Sequence, residues 1–272
     1  MSILFDLPLF LTGPALIAVL AGASILGLNW FRKHQLPRLR FGEFDGEFLV
    51  AMVTSIMVFY ALATALTAVH VSEAYEKVKD ITAREASSLG VLYRNVSEYP
   101  EPVRSVLREE IRSYTHQVIH EEWPLQRRGT IPSEGIKALD RLQSTIMGFE
   151  PATEAQKALA VETLASYGRM MDARSLRTES VEHKLPGVMW IVILLGAFMS
   201  LVAAFYFPVR DARVHRVQVG LLAAFIGLVI FITLALDRPY RGDLGLKATP
   251  YEIIYEQLMS PGVTAEQRSA AP

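Results

Sequence analysis

Two histidines four residues apart, His116 and His120, stand beside Glu121 and Glu122, and of all the groupings in this 272-residue chain theirs looks most like a metal site. The i, i+4 spacing puts both imidazoles on one face of a helix, as zinc ligation requires. The order is not the His-Glu-x-x-His of zinc proteases, and no third ligand is evident. Both histidines also lie roughly opposite the stripe Leu107, Ile111, Tyr114 and Val118, so they face solvent. The expectation is that no metal is bound.

A second concentration of reactive side chains closes the last apolar run. Asp237, Arg238, Arg241 and Asp243 share eight residues with Pro239 and Gly242. Arginines at a helix C-terminus complement its dipole, and the proline and glycine turn the chain sharply. Asp237 can pair with Arg241 or with an arginine of the polar insert, which makes this stretch a candidate structural clasp. A solute site is the other reading.

Glu85 falls between Ile81 and Leu89 at four-residue spacing, on an apolar helix face. Either it is a buried acid paired with an arginine from elsewhere, or the helix rotates slightly and turns Ala86 inward. Thr54, Ser55, Thr64 and Thr67 lie within an apolar run and are candidate pore-lining or packing hydroxyls, since an intramembrane hydroxyl can also bond back to its own helix. His70 and His183 flank the ends of apolar runs, where histidine can sense pH.

Catalytic signals are missing. No dinucleotide or phosphate-binding loop, no Gly-x-Ser-x-Gly elbow and no spaced Ser/His/Asp grouping occurs. The chain contains no cysteine, which removes disulfides, thiol catalysis and thiolate metal sites. The expectation is a protein without enzymatic activity and without a cofactor.

The elements that carry these residues are membrane helices. The composition is 51% hydrophobic with a formal charge of −1, and apolar runs cluster at 7–30, 47–70, 186–207 and 217–236. Each is about 20 residues or more, enough to cross ~30 Å of hydrocarbon as a helix. None of the four cores contains Asp, Glu, Lys or Arg, which argues against a proton-coupled transporter or a voltage sensor. The near-zero net charge predicts no nucleic-acid partner. Ala61, Ala65 and Ala68, and again Gly220, Ala224 and Gly227, form small-residue seams that let helices approach closely.

Orientation follows from the short loops. Residues 32–46 carry Arg32, Lys33, Arg38 and Arg40, and residues 208–216 carry Arg210, Arg213 and Arg216. The positive-inside rule places both loops in the cytoplasm, and hence both termini and the insert at 71–184 outside, in a bacterial inner membrane.

The insert reads as helix throughout, with 16 Lys/Arg against 18 Asp/Glu, a solvated surface rather than a basic patch. Val71, Ala74, Val78, Ile81, Leu89, Leu92 and Val96 continue the second span outward as a stalk. A second helix runs through Val103 to Val118 and stops near Trp123-Pro124. Pro132-Ser133 opens a third helix. Thr153 with Gln156 makes a capping box opening a fourth, through Leu159, Leu164, Tyr167, Met171 and Leu176.

The architecture expected is therefore all-α: residues 1–70 with two spans, 71–185 an extramembrane up-down bundle, and 186–237 with two more spans. Residues 238–259 form a boundary turn and a short amphipathic helix, capped by Thr249 ahead of Pro250, and 260–272 a disordered tail.

Three stretches, Arg84 to Arg94, Tyr114 to Trp123 and Leu236 to Gly242, together resemble a mostly bacterial family of membrane proteins labelled bestrophin-like. The resemblance covers nearly the whole chain. It implies a four-span integral membrane protein with a helical middle domain, and the label points to anion channels. True bestrophins are oligomeric with their long helical part in the cytosol, whereas the loop charges here place the insert outside. The function expected is a homo-oligomeric, channel-like protein for small ions in a lipid bilayer. The alternative is a non-catalytic sensor or scaffold whose segment 71–184 binds a protein partner.

Overall fold

A computed structural model of the chain describes residues 9–35, 43–132, 135–182, 184–207 and 209–260. Residues 1–6, Arg38, Arg40, Ser133, His183 and the tail beyond Ser260 lie outside the described residues. Among those described there is no strand. The long helices are α1 (Leu9–His34), α2 (Glu43–Val96), α3 (Val103–Gln117), α5 (Gly135–Met147), α6 (Glu154–Ser180), α7 (Gly187–Phe205) and α8 (Ala212–Leu236). The short ones are α4 (Trp123–Arg127) and α9 (Thr249–Ile254). Two π-helical turns, Val118–Glu122 and Tyr255–Met259, complete the chain.

Four helices are long and apolar enough to cross a membrane, at Leu11–His34, Gly46–Val96, Gly187–Phe205 and Ala212–Leu236. The second belongs to α2, a continuous helix of 54 residues that the apolar run and the stalk periodicity build together. The chain divides into two compact units.

In the first unit α1, α7 and α8 pack on one another, and glycines set their closest approaches. A Cβ on Gly227 would stand 3.3 Å from the backbone of Ile17, and one on Gly220 would stand 3.2 Å from the Ile25 side chain. With hydrocarbon on both sides of the comparison, such close backbone packing replaces the hydrophobic driving force of a water-soluble core. Arg32 secures the α7–α8 turn. Its Nη1 donates to His215 Nδ1 (2.9 Å) and to the Val209 carbonyl (3.2 Å). Arginine only donates, so His215 accepts at Nδ1 and its Nε2–H bonds the Ala204 carbonyl at 3.0 Å.

The second unit is helical, built from the C-terminal part of α2 with α3 to α6, α9 and the π-turn after it. Its core includes Leu89, Leu92, Leu107, Ile111, Leu139 and Met170, all fully buried. Thr153 caps α6 by accepting from Gln156 N (3.2 Å), while Gln156 Oε1 accepts from Ala152 N (2.7 Å). Two local expectations fail. α9 is preceded by Ala248 as cap, with Thr249 already in the helix and making no side-chain cap. Helix α3 does not stop at Trp123-Pro124: it passes through a π-turn into α4. Proline lacks the N–H that would continue the α pattern, and the wider turn, closed by Trp123 N–H to the Val118 carbonyl, absorbs the missing donor.

Candidate functional site

Glu122, four residues after the buried Val118, lies inside, 1% exposed, next to the buried Trp123, whereas Glu121 remains on the surface. From α2, Glu85 is fully buried as well, and so is its neighbour Ala86. From α6 come Arg174 and Arg177, three residues apart on one helix face and 6% and 0% exposed. From α3 comes Tyr114, 1% exposed.

These five side chains close a ring. Arg177 donates from Nε to Glu85 Oε2 (2.6 Å) and from Nη2 to Glu85 Oε1 (3.2 Å). The same Nη2 donates to Glu122 Oε2 at 2.9 Å, and Arg174 Nη2 donates to Glu122 Oε1 at 2.9 Å. Arg174 Nε then donates to the Tyr114 hydroxyl (3.0 Å), which donates in turn to Glu85 Oε1 (3.2 Å). Two carboxylates and two guanidiniums leave the ring formally neutral. A charge taken out of water is tolerated only when it is paired and its remaining hydrogen-bonding sites are met, and the ring does nearly all of this. Arg177 Nη1 is the exception, with no partner among the described residues.

Aromatic rings line the guanidiniums. Arg177 Cζ lies 5.8 Å from the centroid of Tyr251, and Arg174 Cζ lies 6.0 Å from that of Tyr114. The Tyr251 hydroxyl is buried beside Glu85, near enough to feel its charge but outside hydrogen-bond geometry. Burial, with the Glu85 charge second, pushes the Tyr114 and Tyr251 hydroxyls well above their ordinary range. For Arg177 burial is the largest single influence and opposes the charge, but Glu85, Tyr251 and Tyr114 together outweigh it and hold the guanidinium well above its usual value. Gly135 is what lets α5 approach: a Cβ there would stand 2.0 Å from Glu122 Oε1 and 2.9 Å from Arg174 Nη2.

The stretch after α8 attaches in two places. In the first unit Asp237 Oδ1 accepts from the Leu185 amide at 2.5 Å. In the second unit Ser180 Oγ donates to the Arg177 carbonyl (2.6 Å) and lies 2.8 Å from the Tyr240 hydroxyl. There Arg241 Nη2 donates to the Arg128 carbonyl above Gly129, whose φ of +78° favours glycine. Trp123 Nε1 donates to the Leu246 carbonyl at 3.0 Å. Arg238 and Asp243 are engaged in contacts of their own.

The remaining candidates lie apart from the ring. His116 and His120 are exposed with ring centroids 4.2 Å apart, and no group of three metal-ligating side chains occurs among the described residues. Thr54 and Ser55 are exposed, while Thr64 and Thr67 are buried. Ser55, Thr64 and Thr67 each donate to the carbonyl four residues earlier. α6 turns part of its expected apolar face inward, with Tyr167 buried and Leu159 and Met171 packed against the core, but Leu164 and Leu176 are exposed and the buried side also takes in Thr163, Ser166, Met170, Arg174, Arg177 and Ser180.

A family model described as Bestrophin-like domain matches residues 19–251, which takes in most of the first span, the other three spans whole and every member of the ring. The chain belongs to the Bestrophin-like family. No curated protein and no solved structure matches it. The bestrophin-like assignment agrees with four apolar helices and no strand among the described residues, and fits a membrane protein. Chemically, the ring is closed to solvent and holds α2, α3, the π-turn and α6 in one register.

Proposed function

We propose that this bestrophin-like chain is a homo-oligomeric, passive, channel-like protein for small ions in the bacterial inner membrane. The spanning part of α2 would contribute its exposed face to neighbouring copies and to the passage between them. The observation that carries this reading is the surface of that helix: only 11% of its apolar window is buried, against 33% for α7 and α8. Thr54 and Ser55 are exposed along it, small side chains suited to close approach by another helix. The membership supports it further, since bestrophins are ion channels. No Asp, Glu, Lys or Arg lies in the four span cores, which suits passive passage over coupled transport. In this reading Thr64 and Thr67, buried within the chain, serve packing, and Thr54 and Ser55 are the candidates for the passage. The role is not enzymatic, and both termini with 71–184 lie outside the cytoplasm.

The test joins oligomeric state in detergent with ion flux into vesicles and a reporter fused at the C-terminus. Oligomers that pass current, reduced by Ser55→Leu, support the reading; a monomer without flux overturns it. A second reading, a sensor or scaffold acting through the extramembrane helices, is favoured by the closed charge ring, which gives that unit a core of its own. It expects a partner retained by the helical unit and no flux.

A further inference from the structure

Within the first unit a cavity of about 500 Å³ lies among α2, α7 and α8. None of its lining residues is charged. Its polar feature is Ser200 in the interior of α7, 0% exposed, whose Oγ has no hydrogen-bond partner among the described residues. Other spanning hydroxyls behave differently. Ser24, Ser55, Thr64, Thr67 and Thr233 all donate to the carbonyl four residues back, the usual way to satisfy a hydroxyl in hydrocarbon. Ser200 forgoes that bond. Beside it the ring of Tyr60 lies against Gly196, where a Cβ would come within 2.5 Å of the ring. The Tyr60 hydroxyl is buried next to Thr64 without a hydrogen bond of good geometry. Ala61, Ala65 and Phe225 are part of the lining and are themselves exposed, so the cavity opens sideways onto the apolar surface.

We infer that this cavity is a binding site for a bilayer-dissolved amphiphile: a single apolar chain bearing one uncharged oxygen, which the Ser200 hydroxyl meets. Size, charge and geometry each constrain the class. A volume of this order holds one chain-like molecule. A charged head group would find no counter-charge in the lining, and carrying it to that depth is costly. A plain alkane would leave Ser200 unsatisfied, whereas an alcohol or ester oxygen supplies what the helix carbonyl does not. The opening onto the apolar surface admits a ligand from the bilayer rather than from water. This goes beyond ion passage and does not depend on it.

The test uses full-length protein in phosphatidylcholine nanodiscs with a hexadecanol carrying a diazirine in its chain. Crosslinked peptides should map to 57–68 of α2 and 222–229 of α8. Labelling should be competed by hexadecan-1-ol and not by equal amounts of hexadecane or palmitate. Ser200→Ala removes a hydroxyl that holds no bond within the chain, so the melting temperature should not fall while retention of the probe drops about fivefold to tenfold. Ala65→Trp fills the cavity from its exposed rim and should abolish labelling. Competition by hexadecane as strong as by the alcohol would mark the cavity as ordinary lipid contact and overturn the inference. Unchanged retention in Ser200→Ala, or labels confined to other helices, would do the same. Protection that appears only when the chain oligomerises would mean that a neighbouring copy fills the cavity, which also overturns it.

Discussion

Arg177 grips Glu85 with two nitrogens, Nε on Oε2 at 2.6 Å and Nη2 on Oε1 at 3.2 Å, and neither side chain is reached by solvent. A bidentate guanidinium–carboxylate contact of this kind fixes geometry as well as charge. It sets α6 against α2 at a single rotation of each helix, because no other rotation would pair both charges.

Breaking this pair from one side leaves a charge buried alone. Glu85→Gln is expected to destabilise the protein by about 3–5 kcal/mol, since Arg177 then keeps its charge with one carboxylate fewer. Glu85→Gln combined with Arg177→Met should cost less than the two single changes added together. Thermal melting of the three detergent-purified variants checks both statements. Additive losses would show that the two residues act independently.

Gly135 is needed for space rather than for backbone freedom. With a Cβ 2.0 Å from Glu122 Oε1, Gly135→Ala must push the carboxylate off Arg174 or shift α5, at about 1–3 kcal/mol for the crowding alone. Gly168 in α6 is the control, because a Cβ there meets nothing within 4 Å. Gly168→Ala should stabilise by roughly 0.5–1 kcal/mol through the helix interior. Opposite signs at two helical glycines, read from melting temperatures, are the expected result; equal signs would contradict the ring's geometry.

Much of this architecture was legible beforehand, for reasons that also explain what was not. The four spans follow from long uncharged apolar runs, and the start of α6 follows from Thr153 and Gln156. Glu122 stands four residues after Val118 and so continues the stripe of Leu107, Ile111, Tyr114 and Val118, but an acid on that stripe carries no apolar signal and Glu122 shows in the sequence only as a neighbour of the histidines. Arg174 and Arg177 drew no notice because an apolar stripe is sought among apolar residues, and the buried side of α6 is largely polar. Asp237 drew notice for its charge, but it accepts from the Leu185 amide, which no pattern of side chains reveals.

Alkaline pH should loosen the second unit through its buried phenols. Tyr114 and Tyr251 are held protonated in the folded chain by burial first and Glu85 second, so their folded values lie well above the ordinary 10.0. A group whose folded value is raised contributes stability that is whole below its unfolded value and lost as pH rises beyond it. Melting temperature should therefore stay level up to about pH 9 and fall from about pH 10 upward. Tyr251→Phe should flatten that fall. A Tyr251→Phe variant with the parental alkaline slope would show that the phenol is not held this way.

The segment that completes the second unit comes from beyond the last span. Tyr240 meets Ser180, Trp123 Nε1 bonds the Leu246 carbonyl, and the Tyr251 ring covers Arg177 at 5.8 Å. A soluble fragment limited to 76–182 would lose all three and open one side of the charge ring to water. Water would then screen the Glu85–Arg177 attraction that the buried site leaves nearly unscreened. Fragment 76–182 joined by a flexible linker to 239–260 should unfold in one cooperative step, whereas the shorter fragment should melt lower and less sharply. Arg177→Met should damage the joined fragment far more than the short one, because only there is the guanidinium fully enclosed. Equal melting of both fragments by circular dichroism would mean that residues 239–260 contribute nothing to the ring.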